Sequence, residues 1–584
     1  MNWPALRIWV GLACILFGFA APCQTLLITN GVQSYTALTN TTVIMSNRCE
    51  LWVTATTNVL SGCIINLNSI DSFLVIPNIG PSIVAGSYLS QVRINGAAAA
   101  VDSNCRVAPY GVGAIVLAHP ASFQPLQVFS GPYFTGTGLS LSQYVYYQGS
   151  ALGALNANIS SFKLKRGYMA TLAQNANGSG ISKNYVAADG DVEISILPDA
   201  LDDNVRFVYV TQWRWTSKKG IAGDIESGLN LGWKYNWNIN QSSTRDLQYT
   251  PIRQQRFWPG LGQNWQSMGA EHLLGYNEPD KSDQANMAVG DAIYSWPDLL
   301  ATGLRVGAPA VSDGGRSAWL YPFMSQADAA GLRVDFVPVH YYWCYNPSDP
   351  NGAANQMYGF LKATYDTVKR PLWITEWNNG ANWTGCGDPT AAQQQAAVAA
   401  MIAMLDSTPF VERYALYNWV EDVRRVKWDD GSLTAAGTTY RDEYSPIGYV
   451  QGLQDNGTRS FSQLLFETNT LDSSGYANNG VTSGSPAYTN GHSGMALVFD
   501  GANTAVTLPP NVATGNSFTF AGWIYWNGGA SWQRIFDFGN STTDFLFLTP
   551  SSGSGTFRFG IKNGGGEQIV ETSPLTPNQW QHVA

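Results

Sequence analysis

The sequence predicts a multidomain protein in which a (β/α)8 TIM-barrel domain is flanked by all-β modules. At 584 residues the chain is several times longer than one hydrophobic core supports. Between residues 216 and 451, short hydrophobic strands alternate with Ala-rich segments of helical spacing, which is typical of a parallel sheet. On both sides of this region, strand and turn signals occur without a helical period.

Residues 1–23 have the pattern of a secretory signal peptide. Arg7 precedes an apolar run from Ile8 to Ala21, which is too short to span a membrane. Acylation of Cys23 is the weaker alternative, because Pro22 stands where a lipoprotein site has a small residue. We therefore expect a secreted protein without a membrane anchor.

The cysteines that follow this segment are odd in number. Secretion exposes them to an oxidising compartment, where disulfides persist. We expect Cys344 to pair with Cys386, and one pair among Cys49, Cys63 and Cys105, although spacing alone does not fix that connectivity.

The charge balance excludes one class of partner. The net charge is −9 and only 12% of the residues are charged, whereas nucleic-acid binding requires a basic surface. We expect a neutral substrate, no nucleic acid, and a monomer.

Residues 24–123 are predicted to form an all-β accessory module. Runs such as Phe73–Ile76 and Gly113–Leu117 are broken by Asn and Gly, which indicates strands and turns. This stretch contains no cluster of catalytic residue types, so we expect no chemistry there.

A second all-β stretch covers residues 124–215. Its segments Phe129–Gly136 and Asn156–Ser161 resemble a βγ-crystallin-like Greek-key module, whose calcium loop pairs two Asn or Asp residues with a later Ser. Ala157 departs from that pattern, and Arg206 stands where a second loop would have Ser. Structural Ca2+ in these accessory modules and plain turn formation are therefore both open.

Eight strands are predicted within residues 216–451, and that number in about 235 residues fits a compact barrel. They lie near Lys219–Gly223, Gly232–Trp237, Arg253–Trp258, His272–Asn277, Arg305–Ala310, Asp335–His340, Pro371–Glu376 and Arg413–Trp419.

Residues 452–462 are predicted to be a linker, and residues 463–584 turn all-β again. Segments Ala496–Gly501 and Trp580–Ala584 resemble a laminin-G/concanavalin-like jelly roll. Such modules continue for several strands beyond a Trp-x-His-Val segment, so we expect an incomplete module with exposed strand edges.

Predicted strands four and seven both end in a glutamate, Glu278 and Glu376. Barrel enzymes keep their site at the carboxyl ends of the strands, so the two side chains meet there. Cleavage of a glycosidic bond needs one carboxylic acid and one carboxylate. A single glutamate after a strand is more often a solvated loop residue, but the pair favours catalysis.

The motifs around both glutamates resemble the retaining hydrolases of clan A, through Asn277-Glu278-Pro279 and Thr375-Glu376-Trp377. With Trp233–Trp237 and Val339–Trp343, the whole domain resembles glycoside hydrolase family 128. The resemblance implies Glu278 as acid/base, Glu376 as nucleophile, and an endo-acting enzyme on β-1,3-glucans such as laminarin or curdlan.

Aromatic residues support a sugar partner independently. Fourteen of the 21 tryptophans lie between Trp213 and Trp428, and aromatic faces pack well against pyranose rings, although each alone could equally be core. We expect Asn277 to bind a sugar 2-hydroxyl and His340 to orient a catalytic carboxylate. The predicted substrate-binding residues are Asn277, Trp237, Tyr235, His340, Tyr342, Trp377 and Trp419.

Other polar groups are assigned no chemistry. Asp280, Glu421 and Asp422 are interpreted as loop charges or helix caps. No HExxH or paired CxxC motif occurs, so we expect no catalytic metal and no cofactor for catalysis.

The resemblance to retaining hydrolases implies a short distance between the two glutamates. Their carboxyl groups should lie about 5–5.5 Å apart, with the charge of Glu376 raising the pKa of Glu278. Residues 216–451 should act without the flanking modules, which would serve targeting. Two alternatives stay open: a non-catalytic β-glucan-binding protein, and a clan A hydrolase acting on another β-glycan, such as mannan or xylan.

Overall fold

The computed structural model of the chain describes residues 24–194, 197–198, 200–449, 462–472, 478–509, 512, 519–539 and 541–584. The predicted signal peptide, and the predicted linker except residue 462, lie outside the described residues. The chain divides into two compact units, Met1–Val450 and Gln451–Ala584. No helix in these described ranges is long and apolar enough to cross a membrane.

The first module of unit one is a short parallel β-solenoid with three faces. Apolar residues alternate inward along strands such as Thr41–Met45, so that stacked coils share one core. The parallel rows are Gln24–Ile28, Thr41–Met45, Ile64–Leu67 and Val92–Ile94; Gly31–Tyr35, Cys49–Val53 and Ser72–Ile76; and Leu38–Thr39 and Leu60–Ser61.

Further elements complete this module. Ser72–Ile76 continues antiparallel into Gly113–Leu117 and Arg106–Gly111, and Ala97–Ala98 pairs with Val92–Ile94. The helical turns are Pro81–Ile83, Val84–Tyr88 and Leu89–Gln91.

The predicted disulfide among Cys49, Cys63 and Cys105 is wrong. All three thiols are free and buried. The reason is their separate placement within the solenoid: Cys49 Sγ contacts Ser72 Oγ at 3.5 Å, whereas Cys63 Sγ donates to Ser61 O at 3.4 Å. Burial raises the pKa of Cys105 to about 11, which makes that thiol unreactive.

The second module packs two four-stranded antiparallel sheets around one apolar core. One sheet contains Leu126–Gly131, Thr135–Leu141, Ser161–Leu164 and Val192–Ile194; the other contains Tyr146–Gln148, Tyr168–Ala173, Ser182–Ala187 and Phe207–Gln212. The helical turns are Pro132–Phe134 and Gly149–Leu155. Calcium here stays a prediction: Ser160 Oγ donates to Asp203 Oδ1 at 3.1 Å, and Arg206 donates to Asn204 Oδ1.

Residues 216–449 contain eight parallel strands, labelled in chain order. They are β1 (Lys219–Ala222), β2 (Trp233–Tyr235), β3 (Gln248–Tyr249), β4 (His272–Leu273), β5 (Arg305–Val306), β6 (Val337–Tyr341), β7 (Leu372–Trp377) and β8 (Val411–Leu416). Their ladders form a six-stranded sheet of order β3-β2-β1-β8-β7-β6 and a separate β4-β5 pair, not one closed sheet.

Seven of these strands lie where the sequence predicts them, and the third does not. β3 ends at Tyr249, and the predicted strand Arg253–Trp258 is a loop. Inside that loop the Arg253 guanidinium donates to the carbonyls of Arg256 and Pro259. These internal bonds curl the segment away from an extended strand.

Helices cover the outside of the parallel strands. One of the predicted Ala-rich segments forms the helix Ala391–Ser407, which begins with a capping box between Thr390 and Gln393. The others are Trp265–Met268, Val289–Leu300, Arg316–Leu320, Tyr321–Ala329, Pro350–Val368, Asp422–Arg424 and Ala435–Asp442.

The two β-modules of unit one pack against residues 216–449. Phe73 of the solenoid, Met169 of the second module and Tyr449 belong to one buried cluster. Strand Trp215–Thr216 extends the solenoid sheet through Tyr110 and Gly111. The apolar residues of both modules therefore pack against this region, and activity of residues 216–451 without them stays a prediction.

Unit two is built from antiparallel strands. Its largest sheet contains Phe536–Gly539, Asp544–Thr549, Phe557–Asn563 and Gln568–Thr572. The paired strands are Val481–Ser483 with Ala505–Thr507, Ala487–Asn490 with Met495–Val498, and Gly522–Tyr525 with Trp580–Val583.

Candidate active site

A bulge between β6 and β7 places His340 beside Glu376. Val339 pairs with Ile374 but His340 pairs with Glu376, so Thr375 is an extra residue on β7. The His340 ring is buried, and its Nδ1 lies 2.8 Å from Glu278 Oε1 and 3.6 Å from Glu376 Oε2. The imidazole therefore contacts both carboxyl groups.

Glu278 enters the site from the carboxyl end of β4. Its backbone N–H donates to Ala310 O at 2.7 Å, next to the bridge between Asn277 and Ala310. Its φ of 40° lies in the left-handed region, which costs a non-glycine residue about 1–2 kcal/mol. Surrounding contacts must hold this conformation.

Glu376 accepts three hydrogen bonds from aromatic side chains. Tyr235 OH and Trp237 Nε1 donate to Oε1 at 3.0 and 2.9 Å, and Tyr342 OH donates to Oε2 at 2.6 Å. Burial and the charge of Glu376 hold the pKa of both tyrosines well above its usual value, so they remain donors. This donor set provides a hydrogen bond to each carboxyl oxygen of Glu376.

Opposite pKa shifts indicate that the proton of the Glu278–His340 contact lies on His340. Burial opposes the charge of His340, but the charge of Glu376 and the hydrogen bond to Glu278 outweigh it and raise the pKa of His340 to about 9. Burial would raise the pKa of Glu278, but the hydrogen bond and charge of His340 lower it. The prediction that Glu376 raises the pKa of Glu278 is therefore wrong, because His340 contacts both carboxylates.

These three side chains form a compact group. One carboxyl oxygen of Glu278, one ring nitrogen of His340 and one carboxyl oxygen of Glu376 lie within 4.8 Å of one another. Within the part of the chain that the structure describes, it is the one group of three or more His, Cys, Asp or Glu side chains so close together.

Asn277 presents an unused acceptor beside the carboxylates. Its Nδ2 donates to Gln284 Oε1 at 3.2 Å, whereas its buried Oδ1 has no hydrogen-bond partner among the described residues. A buried acceptor without a partner is costly, which indicates a role for a ligand donor.

Aromatic rings extend the site away from Glu376. Trp237 meets Trp419 at 5.7 Å between ring centroids, and Trp419 is 44% exposed. It lies between cavities of about 610 and 380 Å3. Two residues that the sequence analysis missed, Tyr417 and Trp383, contact Tyr342 at 5.7 and 5.0 Å. Tyr417 was detectable, because it precedes Trp419 by two residues in extended chain.

Trp377 does not join the site. Its side chain is fully buried and packs against Tyr414 and Tyr440. Adjacent strand residues point to opposite faces, so Glu376 faces the site and Trp377 faces the helices. This packing leaves its predicted role in substrate binding without support. Of the other six predicted binding residues, five contact or adjoin the two glutamates, and Trp419 contacts Trp237.

The predicted disulfide between Cys344 and Cys386 is present, with 6.0 Å between the two Cα atoms. It joins the segment after β6 to the loop after β7, which also carries Trp383. Gly380 permits this packing, because a Cβ there would lie 2.9 Å from Cys386 Sγ.

Two protein families match the chain. Residues 211–440 match the glycosyl hydrolase catalytic core, and residues 499–584 match the concanavalin A-like lectin/glucanases superfamily. Among curated proteins, none matches.

Solved structures narrow the first match. A family 128 subgroup I endo-β-1,3-glucanase from Amycolatopsis mediterranei, in complex with laminaritriose, is 32% identical; the match covers 38% of this chain and 98% of that chain, with a TM-score of 0.35. The catalytic domain belongs to glycoside hydrolase family 128. The identity across nearly all of that enzyme, not the TM-score, supports this assignment. A family 128 subgroup III curdlan-specific exo-β-1,3-glucanase from Blastomyces gilchristii is 25% identical over 39% of this chain and 98% of its own, with a TM-score of 0.32.

The protein is therefore a glycoside hydrolase of family 128 that also carries a concanavalin-like domain at its C-terminal end. The motifs that the sequence analysis compared with this family contain Glu278 and Glu376, the same two side chains that meet at His340.

Proposed function

We propose that the protein is a secreted, retaining endo-β-1,3-glucanase, with Glu376 as nucleophile and Glu278 as acid/base. The observation that carries the proposal is the short distance between the two carboxyl groups. An oxygen of Glu278 lies within 4.8 Å of an oxygen of Glu376. Such spacing suits direct attack, whereas an inverting enzyme keeps its carboxyl groups about 6.5–9.5 Å apart. The 32% identity to an endo-β-1,3-glucanase supports the substrate and the endo mode.

In the first step, a carboxylate oxygen of Glu376 forms a bond to the anomeric carbon while the glycosidic C–O bond breaks. Glu278 gives its proton to the departing oxygen. That proton resides on His340 Nδ1 in the free enzyme and crosses 2.8 Å to Glu278 Oε1 when substrate excludes water. In the second step Glu278 accepts a proton from water, whose oxygen displaces Glu376 from the sugar.

The remaining groups bind and orient the sugar. The unpartnered Oδ1 of Asn277 accepts a hydrogen bond from the 2-hydroxyl. Trp419 and Trp383 stack on sugar rings along the cleft. The proposed mechanism uses no metal, because the two carboxyl groups supply both the acid and the nucleophile.

The parallel strands are proposed to close as a (β/α)8 barrel around this site. Single parallel bridges support closure where no ladder runs: Ile252 with Leu274 joins β3 to β4, and Gly307 with Phe336 joins β5 to β6. Closure places the ends of β4, β6 and β7 around one mouth.

Product stereochemistry tests the proposal. We expect NMR of laminarin and curdlan digests to show the β-anomer released first, together with a range of oligosaccharides from internal cleavage. Release of the α-anomer first would contradict retention, and glucose as the sole early product would contradict endo action. Binding to curdlan without any release of reducing ends would instead favour the non-catalytic alternative.

Substitutions assign the two roles. Glu376→Ala should abolish turnover, and azide should restore cleavage with an inverted product, because it attacks from the vacated side. Glu278→Ala should spare substrates with good leaving groups, which need no protonation. Glu443→Ala, at an exposed glutamate, is the matched control.

A further inference from the structure

Asp280 ties the turn that carries Glu278 to the end of β5. Its Oδ1 accepts from the backbone N–H of Ser312 at 3.0 Å, and its Oδ2 accepts from Ser312 Oγ at 2.5 Å. Ser312 is buried and follows Val311, which bridges Val339 on the strand that carries His340. Both carboxylate oxygens of Asp280 therefore accept hydrogen bonds from Ser312, the residue after Val311, which is bridged to the strand that carries His340.

Gly315 makes the space for this carboxylate. A Cβ on Gly315 would lie 2.5 Å from Asp280 Oδ2 and 2.6 Å from its Cγ. The backbone of Gly315, at φ −81°, is one that alanine adopts without strain. Glycine here therefore leaves space for Asp280 and also for Val311, whose Cβ would lie 2.9 Å from the added atom.

Glu278 needs such an anchor because its own backbone does not favour the observed conformation. Its φ of 40° is disfavoured for a residue with a Cβ. A turn released from β5 would relax toward negative φ, and the carboxyl group would leave its 2.8 Å contact with His340 Nδ1. Acid/base catalysis depends on such geometry within fractions of an ångström.

We propose that Asp280 is a positioning residue for the acid/base, acting through the Asp280–Ser312 contact that holds Glu278 in its left-handed conformation. The inference rests on the proposed retaining mechanism. Asp280 touches no reacting atom in this role, so its loss should impair proton transfer more than binding or nucleophilic attack.

The test compares substrates that differ in their need for an acid. Asp280→Ala removes the contact, and Gly315→Ala displaces it while keeping the Asp280 carboxylate. For both variants we expect kcat/KM on laminarihexaose to fall at least about tenfold. On a 2,4-dinitrophenyl β-laminaribioside, which needs no protonation, kcat/KM should fall less than about threefold.

A conservative variant separates position from charge. The amide of Asp280→Asn can accept from Ser312 N–H and donate to Ser312 Oγ, so it keeps both contacts without the negative charge. We expect it to stay within about threefold of wild type on both substrates. Asp283→Ala, at an exposed acid of the same loop, should leave both values unchanged.

Three results would overturn the inference: an equal fall on both substrates, no fall for Asp280→Ala on laminarihexaose, or an Asn variant as impaired as the Ala variant. The first indicates general structural damage, which thermal unfolding would also show, and the last indicates that charge matters rather than position. A wild-type protein that cleaves neither substrate would refute the proposed function instead.

Discussion

Tyr342 makes the shortest of the three hydrogen bonds to Glu376, at 2.6 Å. Removing its hydroxyl by Tyr342→Phe takes a donor from a buried charged acceptor, which costs about 1.5–3 kcal/mol. We therefore expect kcat/KM to fall roughly tenfold to a hundredfold with little change in fold.

Tyr341→Phe is the matched control for this prediction. The adjacent hydroxyl donates to Gln356 Oε1 at 3.1 Å, on the opposite face of β6. Its loss should leave kcat/KM within about twofold, because it contacts neither glutamate. Equal effects of the two substitutions in steady-state kinetics would show that the hydrogen bond to Glu376 is not what matters.

The proton between Glu278 and His340 predicts the alkaline limit of activity. His340 has its pKa raised to about 9, so the Glu278–His340 pair keeps its proton below that pH and loses it as pH rises through about 9. The pH profile of kcat/KM should therefore retain activity well above neutral pH and then fall. His340→Gln removes this reservoir, and its alkaline limb should move to lower pH.

The same group links pH to stability. A histidine whose pKa is higher in the folded than in the unfolded protein stabilises the fold fully below its unfolded value. That contribution to the stability of the fold should disappear as pH rises from about 6.5 to about 9.

An alkaline limb of kcat/KM that does not move in His340→Gln would contradict the role of His340 as holder of the proton for Glu278.

Sequence reasoning predicted that Glu278 and Glu376 meet because their signal is local, and the structure brings the two side chains together at His340. A glutamate directly after an apolar strand is visible in the sequence at Glu278 and Glu376. Contacts between distant loops left no such signal, so Asp280 was interpreted only as a loop charge or helix cap. The burial of Trp377 was not foreseen, since strand-end position alone does not say which face a side chain occupies, although alternation with Glu376 would have indicated it.

At the scale of elements, the Cys344–Cys386 disulfide closes a loop between residues 42 positions apart. That loop contains Trp383, whose ring meets Tyr342 at 5.0 Å. The double substitution Cys344→Ser/Cys386→Ser should lower the free energy of unfolding by about 2–4 kcal/mol. It should also raise KM for laminarin, because the loop that presents Trp383 loses its constraint.

Cys63→Ser serves as the control, since this thiol is free. It should leave KM unchanged. Thermal unfolding and steady-state kinetics check both effects, and a double variant with unaltered KM would mean that other contacts hold the loop.

Strand prediction succeeded where apolar runs are long and failed where the chain is held by polar contacts. β7 and β8 have six residues each and lie within or beside their predicted ranges. The third strand was placed at Arg253–Trp258, where the Arg253 guanidinium organises a loop. Hydrophobic periodicity does not report such side-chain bonds to the backbone.

At the scale of the whole molecule, the sequence divided unit one into modules that the structure joins. Changes of composition mark the ends of repeating patterns, not the edges of a hydrophobic core. Trp213 and Trp215 both lie at the end of the predicted second module. They are nevertheless buried in a cluster with residues of all three modules. Only packing reveals this shared core.

The joined core leads to a prediction about truncation. A variant that begins at residue 216 loses Thr171 Oγ1, which donates to Gly303 O at 2.8 Å, and Tyr146 OH, which donates to Thr302 O at 2.9 Å. Water can replace these two donors, but Tyr449 and Ile447 lose their apolar neighbours, and exposing apolar surface costs about 25 cal/mol per Å2. Because domains are stable by only about 5–15 kcal/mol, we expect this variant to be unfolded or aggregated.

A variant of residues 24–449 keeps every one of these contacts, so it should unfold cooperatively and hydrolyse laminarihexaose at the rate of the full chain. Circular dichroism and kinetics on both variants check this, and a folded, active 216–451 fragment would show that the β-modules are attachments after all.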